Sequence, residues 1–165
     1  MTGPALRIEI RGLDALTRRF GPRNVHTALV RAMEAATAHV EGEIKERTPV
    51  NKESTPGQLR GQLAASWTNR VVSLIGDIKG IIGTRVHYGP YVEEGTGIYV
   101  GRDRIRPARA QALRFFWHGR WHFRTSVAGQ KGQHMAKRGL EEGRTGAARI
   151  IERRLTDYLN TGRSR

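Results

Sequence analysis

At 165 residues the chain has the length of a single domain with a modest core, and 38% hydrophobic with 7% aromatic residues leaves little apolar surplus. Zero cysteines exclude a disulfide framework, a thiolate metal site and a cysteine nucleophile, while the lack of a long apolar run or a signal-peptide pattern points to a protein made in the cytoplasm with no membrane partner. The net charge of +14 is unevenly placed: residues 98–124 hold seven arginines against the single Asp103, and nearly all the excess lies after residue 97, the mark of a surface that meets nucleic acid or an acidic protein face.

Leu6, Ile8 and Ile10 alternate with Arg7, Glu9 and Arg11, the period of a strand with one dry face. After a turn at Gly21-Pro22, Val25, Leu29, Ala32, Met33, Ala36, Val40 and Ile44 recur at three and four residues and define a long amphipathic helix. Asn24 is its expected N-cap, Lys45 and Arg47 suit its C-terminal end, and Pro49 stops it. Residues 51–57, NKESTPG, read as a mobile loop, and a short helical turn is expected over Leu59–Ala64. Two strands then follow about a Gly76-Asp77 turn, carrying Trp67, Val71, Ile75, Ile78 and Ile82. Residues 97–110 have no strong periodicity and read as an arm leaving the body. A second hairpin is expected to turn at His118-Gly119, with Phe115 and Trp117 facing Trp121 and Phe123. The remainder reads as helix in two pieces, broken near Gly143 to Gly146, with Ala147, Ile150, Ile151, Leu155 and Leu159 on the second stripe. The expected fold is therefore α+β: an antiparallel β-sheet packed against the long helix, with an extended basic arm and C-terminal helices. Residues 1–142 form the main domain and 143–165 a helical extension.

The stretch HYGPYVEEGTG, residues 87–97, lacks the glycine spacing of a phosphate cradle. Glu93 and Glu94 are adjacent, so their carboxylates diverge and do not make an acid–base pair. His118 and His122 have H-x-x-x-H spacing, but on a hairpin they read as a turn histidine and a strand histidine rather than metal ligands. No serine–histidine–aspartate arrangement or nucleophile elbow appears, so no enzymatic activity, metal or cofactor is expected. Arg102, Arg104, Arg106, Arg109, Arg114, Arg120 and Arg124 are interleaved with Tyr99, Phe115, Phe116, Trp117, Trp121 and Phe123. Such a pattern suits single-stranded nucleic acid. It also suits a hairpin whose rings are core and whose arginines are its solvated rim, the preferred reading for the rings because Trp117 and Trp121 are placed to pair across strands.

Five segments in order, EIKERTPV (43–50), GQLRGQLAAS (57–66), VHYGPYVEEGTG (86–97), IRPARAQALRF (105–115) and VAGQKGQHMAKRGLEE (127–142), resemble the tail-completion or head–tail connector proteins of tailed bacteriophages over residues 8–142. The chain departs from that pattern in the interposed NKESTPG and in Gln133-His134-Met135 where a Pro-Phe-Leu step is common. The resemblance implies a minor virion protein that assembles as a homo-oligomeric ring, a hexamer, at the neck or upper tail. Its implied partners are the adjoining neck, connector and tail-tube proteins, with non-specific contact to DNA in the lumen. On that basis Tyr88 to Thr96 is a structural corner, its bend anchored by Tyr88, Tyr91 and Val92, with Glu93 or Glu94 free for a neighbour. Tyr88, Tyr91, Glu93, Glu94, Thr96 and Tyr99 are the candidate subunit or ring contacts. Arg102, Arg104, Arg106, Arg109 and Arg114 are the candidates to face DNA or an acidic ring. The alternatives from other classes are a sequence-nonspecific nucleic-acid-binding protein and a small metal-dependent nuclease.

Overall fold

A chain with so few large apolar residues has to build its core from close backbone approach as well as from side chains. The computed structural model describes residues 13–50, 59–74 and 77–161. The strand expected at residues 6–12 and the loop expected at 51–57 lie outside them. In chain order the elements are α1 (Leu13–Phe20), α2 (Pro22–Arg47), α3 (Gln62–Ala65), β1 (Trp67–Leu74), β2 (Asp77–Thr84), α4 (Gly89–Glu94), a 3-10 turn (Gly97–Val100), β3 (Leu113–Trp117), β4 (Arg120–Arg124) and α5 (Met135–Thr161). The fold is α+β, with the strands in two separate antiparallel pairs, β1–β2 and β3–β4. The described residues divide into two compact units, one within Met1–Ile44, Thr68–Gly83 and Lys137–Arg165, the other within Lys45–Trp67 and Thr84–Ala136.

In the first unit α2 presents two faces. Val25, Ala28, Ala32, Ala36, Val40 and Ile44 are all buried, a stripe with the three- and four-residue recurrence of a packed helix face. Against this stripe lies α5, running antiparallel. A Cβ built on Gly139 would fall 2.8 Å from the Ile44 Cα, one on Gly143 would fall 3.3 Å from Val40, and Gly146 lies against the His39 ring. Further along, Tyr158 joins Val25 and Ala28 in a buried cluster. The adjacent face of α2 meets the β1–β2 hairpin: Gly80 sits directly on the Thr37 side chain, Asn69 donates to the Glu41 carboxylate, and His26 Nε2 is 2.6 Å from Ser73 Oγ.

Four expectations need correction. The C-terminal helix is one continuous helix, Met135–Thr161, because Gly139, Gly143 and Gly146 are not breakers. They lie one turn apart on the side that touches α2, where a side chain would push the helices apart. The long helix starts at Pro22, a residue suited to a first turn because its missing N–H would be unpaired there anyway. Asn24 is therefore inside the helix, its Nδ2 donating back to the Phe20 carbonyl at 2.9 Å. Ahead of it lies an unforeseen helix, α1, whose Leu16 and Phe20 pack on the Val25, Ala28 and Tyr158 cluster, with the Phe20 and Tyr158 rings 5.1 Å apart.

The remaining two corrections concern the second hairpin, in the second unit. The turn at His118-Gly119 is as expected, both residues having positive φ, +50° and +72°, the requirement of a two-residue type I′ turn. Such a turn pairs Trp117 with Arg120 and Phe116 with Trp121, so Trp117 and Trp121 are not cross-strand partners. Nor are the rings core: Trp117, Trp121 and Phe123 are 56%, 43% and 59% exposed.

Candidate functional site

The candidate surface is built in the second unit on a backbone clamp. Residues 92–98 and 127–134 run alongside each other. Thr96 N donates to Gln130 O at 2.8 Å, Ile98 N to Ala128 O at 3.0 Å, Gln133 N to Val92 O at 2.8 Å and His134 N to Glu93 O at 3.0 Å. The two segments touch so closely that only glycine fits. A Cβ on Gly95 would meet Gly132 N at 2.6 Å, and one on Gly97, at φ +61°, would run into the Ala128 carbonyl.

This clamp decides what the candidate contact residues do. Thr96 Oγ1 accepts from Gln130 N at 3.1 Å, so Thr96 is a clamp residue. Glu93 Oε2 accepts from Ala136 N at 2.9 Å, so this carboxylate caps the first turn of α5 from a distant part of the chain, where negative charge suits the helix dipole. Glu94 is exposed. Tyr91 is 58% exposed and does not anchor the bend. With Tyr88 and Val92 it lines a groove of about 450 Å³ completed by Val50, Leu59 and Leu63 and edged by Gln62, Gln130 and Gln133. Tyr99 is also exposed, with the Lys131 ammonium 5.9 Å from its ring centre.

Beyond the clamp the arm is extended and tied near its middle, where Ile105 and Val127 exchange backbone hydrogen bonds of 2.8 and 3.0 Å. Strand alternation then turns Ile105 and Pro107 inward and leaves Arg104 and Arg106 outward. Arg102, Arg109 and Arg114 are exposed as well. Arg104 Nε donates to Ser126 Oγ at 3.1 Å, and the Arg114 guanidinium lies 4.1 Å from the Trp121 ring centre.

The β3–β4 hairpin carries rings on both faces, a feature that the preferred sequence reading missed. Its register puts Arg114, Phe116, Trp121 and Phe123 on one face, and Phe115, Trp117, Arg120, His122 and Arg124 on the other. On the first face Phe116 and Trp121 meet edge to face with centres 5.3 Å apart. On the second Phe115 stacks on His122 at 5.7 Å. His122 Nε2 lies 3.0 Å from the Trp117 carbonyl oxygen, and among the described residues no cluster of three or more histidine or acidic side chains is placed to hold a metal. No helix among the described residues is long and apolar enough to cross a membrane.

The described residues form an α+β frame that carries an arginine-rich arm and exposed rings, and comparison gives this chain a family. Residues 11–95, just over half of the chain, match the family model described as "Bacteriophage HK97-gp10, putative tail-component". The chain belongs to the HK97-gp10-like family and is a bacteriophage tail component. The match runs from α1 to the end of α4 and stops at Gly95, so the arm, the β3–β4 hairpin and α5 lie beyond it. No curated protein and no solved structure matches the chain.

Proposed function

We propose that the chain is a structural, non-enzymatic virion protein that forms a homo-oligomeric ring, a hexamer, at the neck or upper tail and joins head to tail around the DNA channel. It is made in the host bacterial cytoplasm, ends in the virion and meets the adjoining neck, connector and tail-tube proteins. The observation that carries this reading is the exposed row of arginines and rings on a frame that belongs to a phage tail-component family. Aromatic rings and arginines are enriched at interfaces, and a contiguous exposed patch of them marks a contact surface. A ring subunit needs two different patches, one for each neighbour, and the arm with its hairpin is one of them. Particles assembled without this protein test the proposal: heads and tails that fail to join support it, and normal infectious virions remove it.

The exposed Arg104 and Arg106 also favour a second reading, a sequence-nonspecific nucleic-acid-binding protein. It predicts that the isolated chain binds DNA with an affinity that falls steeply as salt is added. Weak or salt-insensitive binding removes it.

A further inference from the structure

Rings set among arginines make either a core with a solvated rim or a platform for stacking. On the hairpin face formed by Arg114, Phe116, Trp121 and Phe123, exposures of 43% for Trp121 and 59% for Phe123 remove the first. We infer that this face binds single-stranded nucleic acid, with unpaired bases stacked on Trp121 and Phe123 and a phosphate held by Arg114. The inference rests on the nucleic-acid reading above. It leaves the arm and the opposite face of the hairpin for the neighbour that the ring reading requires.

The chemistry of the four side chains selects this ligand. All four are flat, three rings and a guanidinium. Their polar groups only donate, through the Arg114 guanidinium and the Trp121 indole N–H, so the face holds no side-chain acceptor. A phosphodiester backbone is the complement, since its charged oxygens only accept. A protein surface brings donors as well as acceptors, at about one hydrogen bond per 100–200 Å², and its donors would find no side-chain acceptor here. Charge agrees: from Arg104 to Leu140 the sequence has no aspartate or glutamate, so no carboxylate on the hairpin repels a phosphate.

The geometry is that of a preformed platform. The Arg114 guanidinium lies 4.1 Å from the Trp121 ring centre and the Phe116 ring centre 5.3 Å from it, so the indole is held in place before a ligand arrives and less ordering entropy is lost on binding. Phe123 is the most open ring of the hairpin. It follows Trp121 by two residues on the same strand, about 6.5 Å along it, so two bases can be held at once. The opposite face offers less to a base: Phe115 is stacked on His122, and Trp117 meets both His118 and His122. A duplex shows only base edges in its grooves, so this mode of binding needs unpaired bases.

A thymidine homo-oligonucleotide and a blunt duplex of equal length, each titrated into the full-length chain at several salt concentrations, test the inference. Trp67 is buried, so quenching of tryptophan emission reports on Trp117 and Trp121. The single strand should bind more tightly than the duplex and quench the emission; Trp121→Phe should keep the affinity and lose most of the quenching. Trp121→Ala and Phe123→Ala, each checked for folding by circular dichroism, should weaken binding by at least about fivefold, the lower end for one base–ring stack. Their salt slope should stay that of the wild type, because a ring neutralises no phosphate. If the chain prefers the duplex, or if both alanine variants bind the single strand as the wild type does, the platform is overturned and the nucleic-acid reading stands on the arm. If neither probe binds, both fall. Loss of self-association in Phe123→Ala with oligonucleotide binding intact assigns the face to a protein neighbour and also overturns the inference.

Discussion

Alanine at Gly139 should destabilise the protein, whereas alanine at Gly42 should stabilise it. Both glycines lie in the interior of long helices, and on propensity alone each change favours the folded state by about 0.8–1 kcal/mol. At Gly42 a new Cβ meets nothing within 4 Å, so that gain is kept. At Gly139 the Cβ would fall 2.8 Å from Ile44 Cα and 2.9 Å from Ile44 N, well inside the roughly 3.5–4.0 Å at which carbon atoms pack. These are backbone atoms that no rotamer change can move, so α2 and α5 must separate by most of an ångström. Overpacking of this kind costs about 1–3 kcal/mol. Set against the propensity gain, Gly139→Ala should lose about 1 kcal/mol and lie about 2 kcal/mol below Gly42→Ala. In a chain of this size each kcal/mol moves the melting temperature by about 2–4 °C, so far-ultraviolet circular dichroism melts should place the variants roughly 4–8 °C apart. Urea titrations should show the same order with unchanged slopes. A Gly139→Ala protein that melts as high as Gly42→Ala would refute a backbone-close helix pair.

Thr48→Val keeps the shape of the side chain but removes the acceptor for Trp67 Nε1, which donates to Thr48 Oγ1 at 2.9 Å between two buried residues. A loss of about 1–3 kcal/mol is expected in the denaturation midpoint, and an unchanged midpoint would show that the bond adds nothing. Glu93→Ala uncaps the first turn of α5 and should cost about 1 kcal/mol, read as faster amide exchange at Ala136 and its neighbours; exchange equal to wild type would remove the cap. Replacing Arg102, Arg104 and Arg106 together by alanine should leave the melting temperature unchanged. If the arm meets DNA phosphates, the slope of log affinity against log salt should fall by about 0.9 for each phosphate that is no longer neutralised, and an unaltered slope takes the arm off the DNA.

What the sequence disclosed depended on how local the determinant was. The apolar recurrence from Val25 to Ile44 marks α2 because a helix face is written at three- and four-residue spacing. His118-Gly119 marks a turn because two adjacent residues must take positive φ. The two-residue length of that turn also contains the correct pairing of Trp117 with Arg120, but cross-strand ring matching pulls the eye to Trp121. Helix α1 is harder to see: its eight residues offer few apolar anchors, and Leu16 and Phe20 gain their cover from Val25, Ala28 and Tyr158 elsewhere. The glycines at 139, 143 and 146 resemble breakers until α2 is laid against them. Within the candidate site, Glu93 and Thr96 look available because their partners, Ala136 and Gln130, lie 43 and 34 residues away.

The bond from Ile98 N to Ala128 O brings the two ends of an intervening span, residues 99–127, to neighbouring points on the frame. A span anchored in this way is an interchangeable cassette. Its length and composition can change with little penalty to the support, since the entropy of closing a loop grows only slowly with residue number. If this span carries the proposed contact, transplanting a different one between Ile98 and Ala128 would redirect the protein to a new neighbour while its scaffold stayed the same.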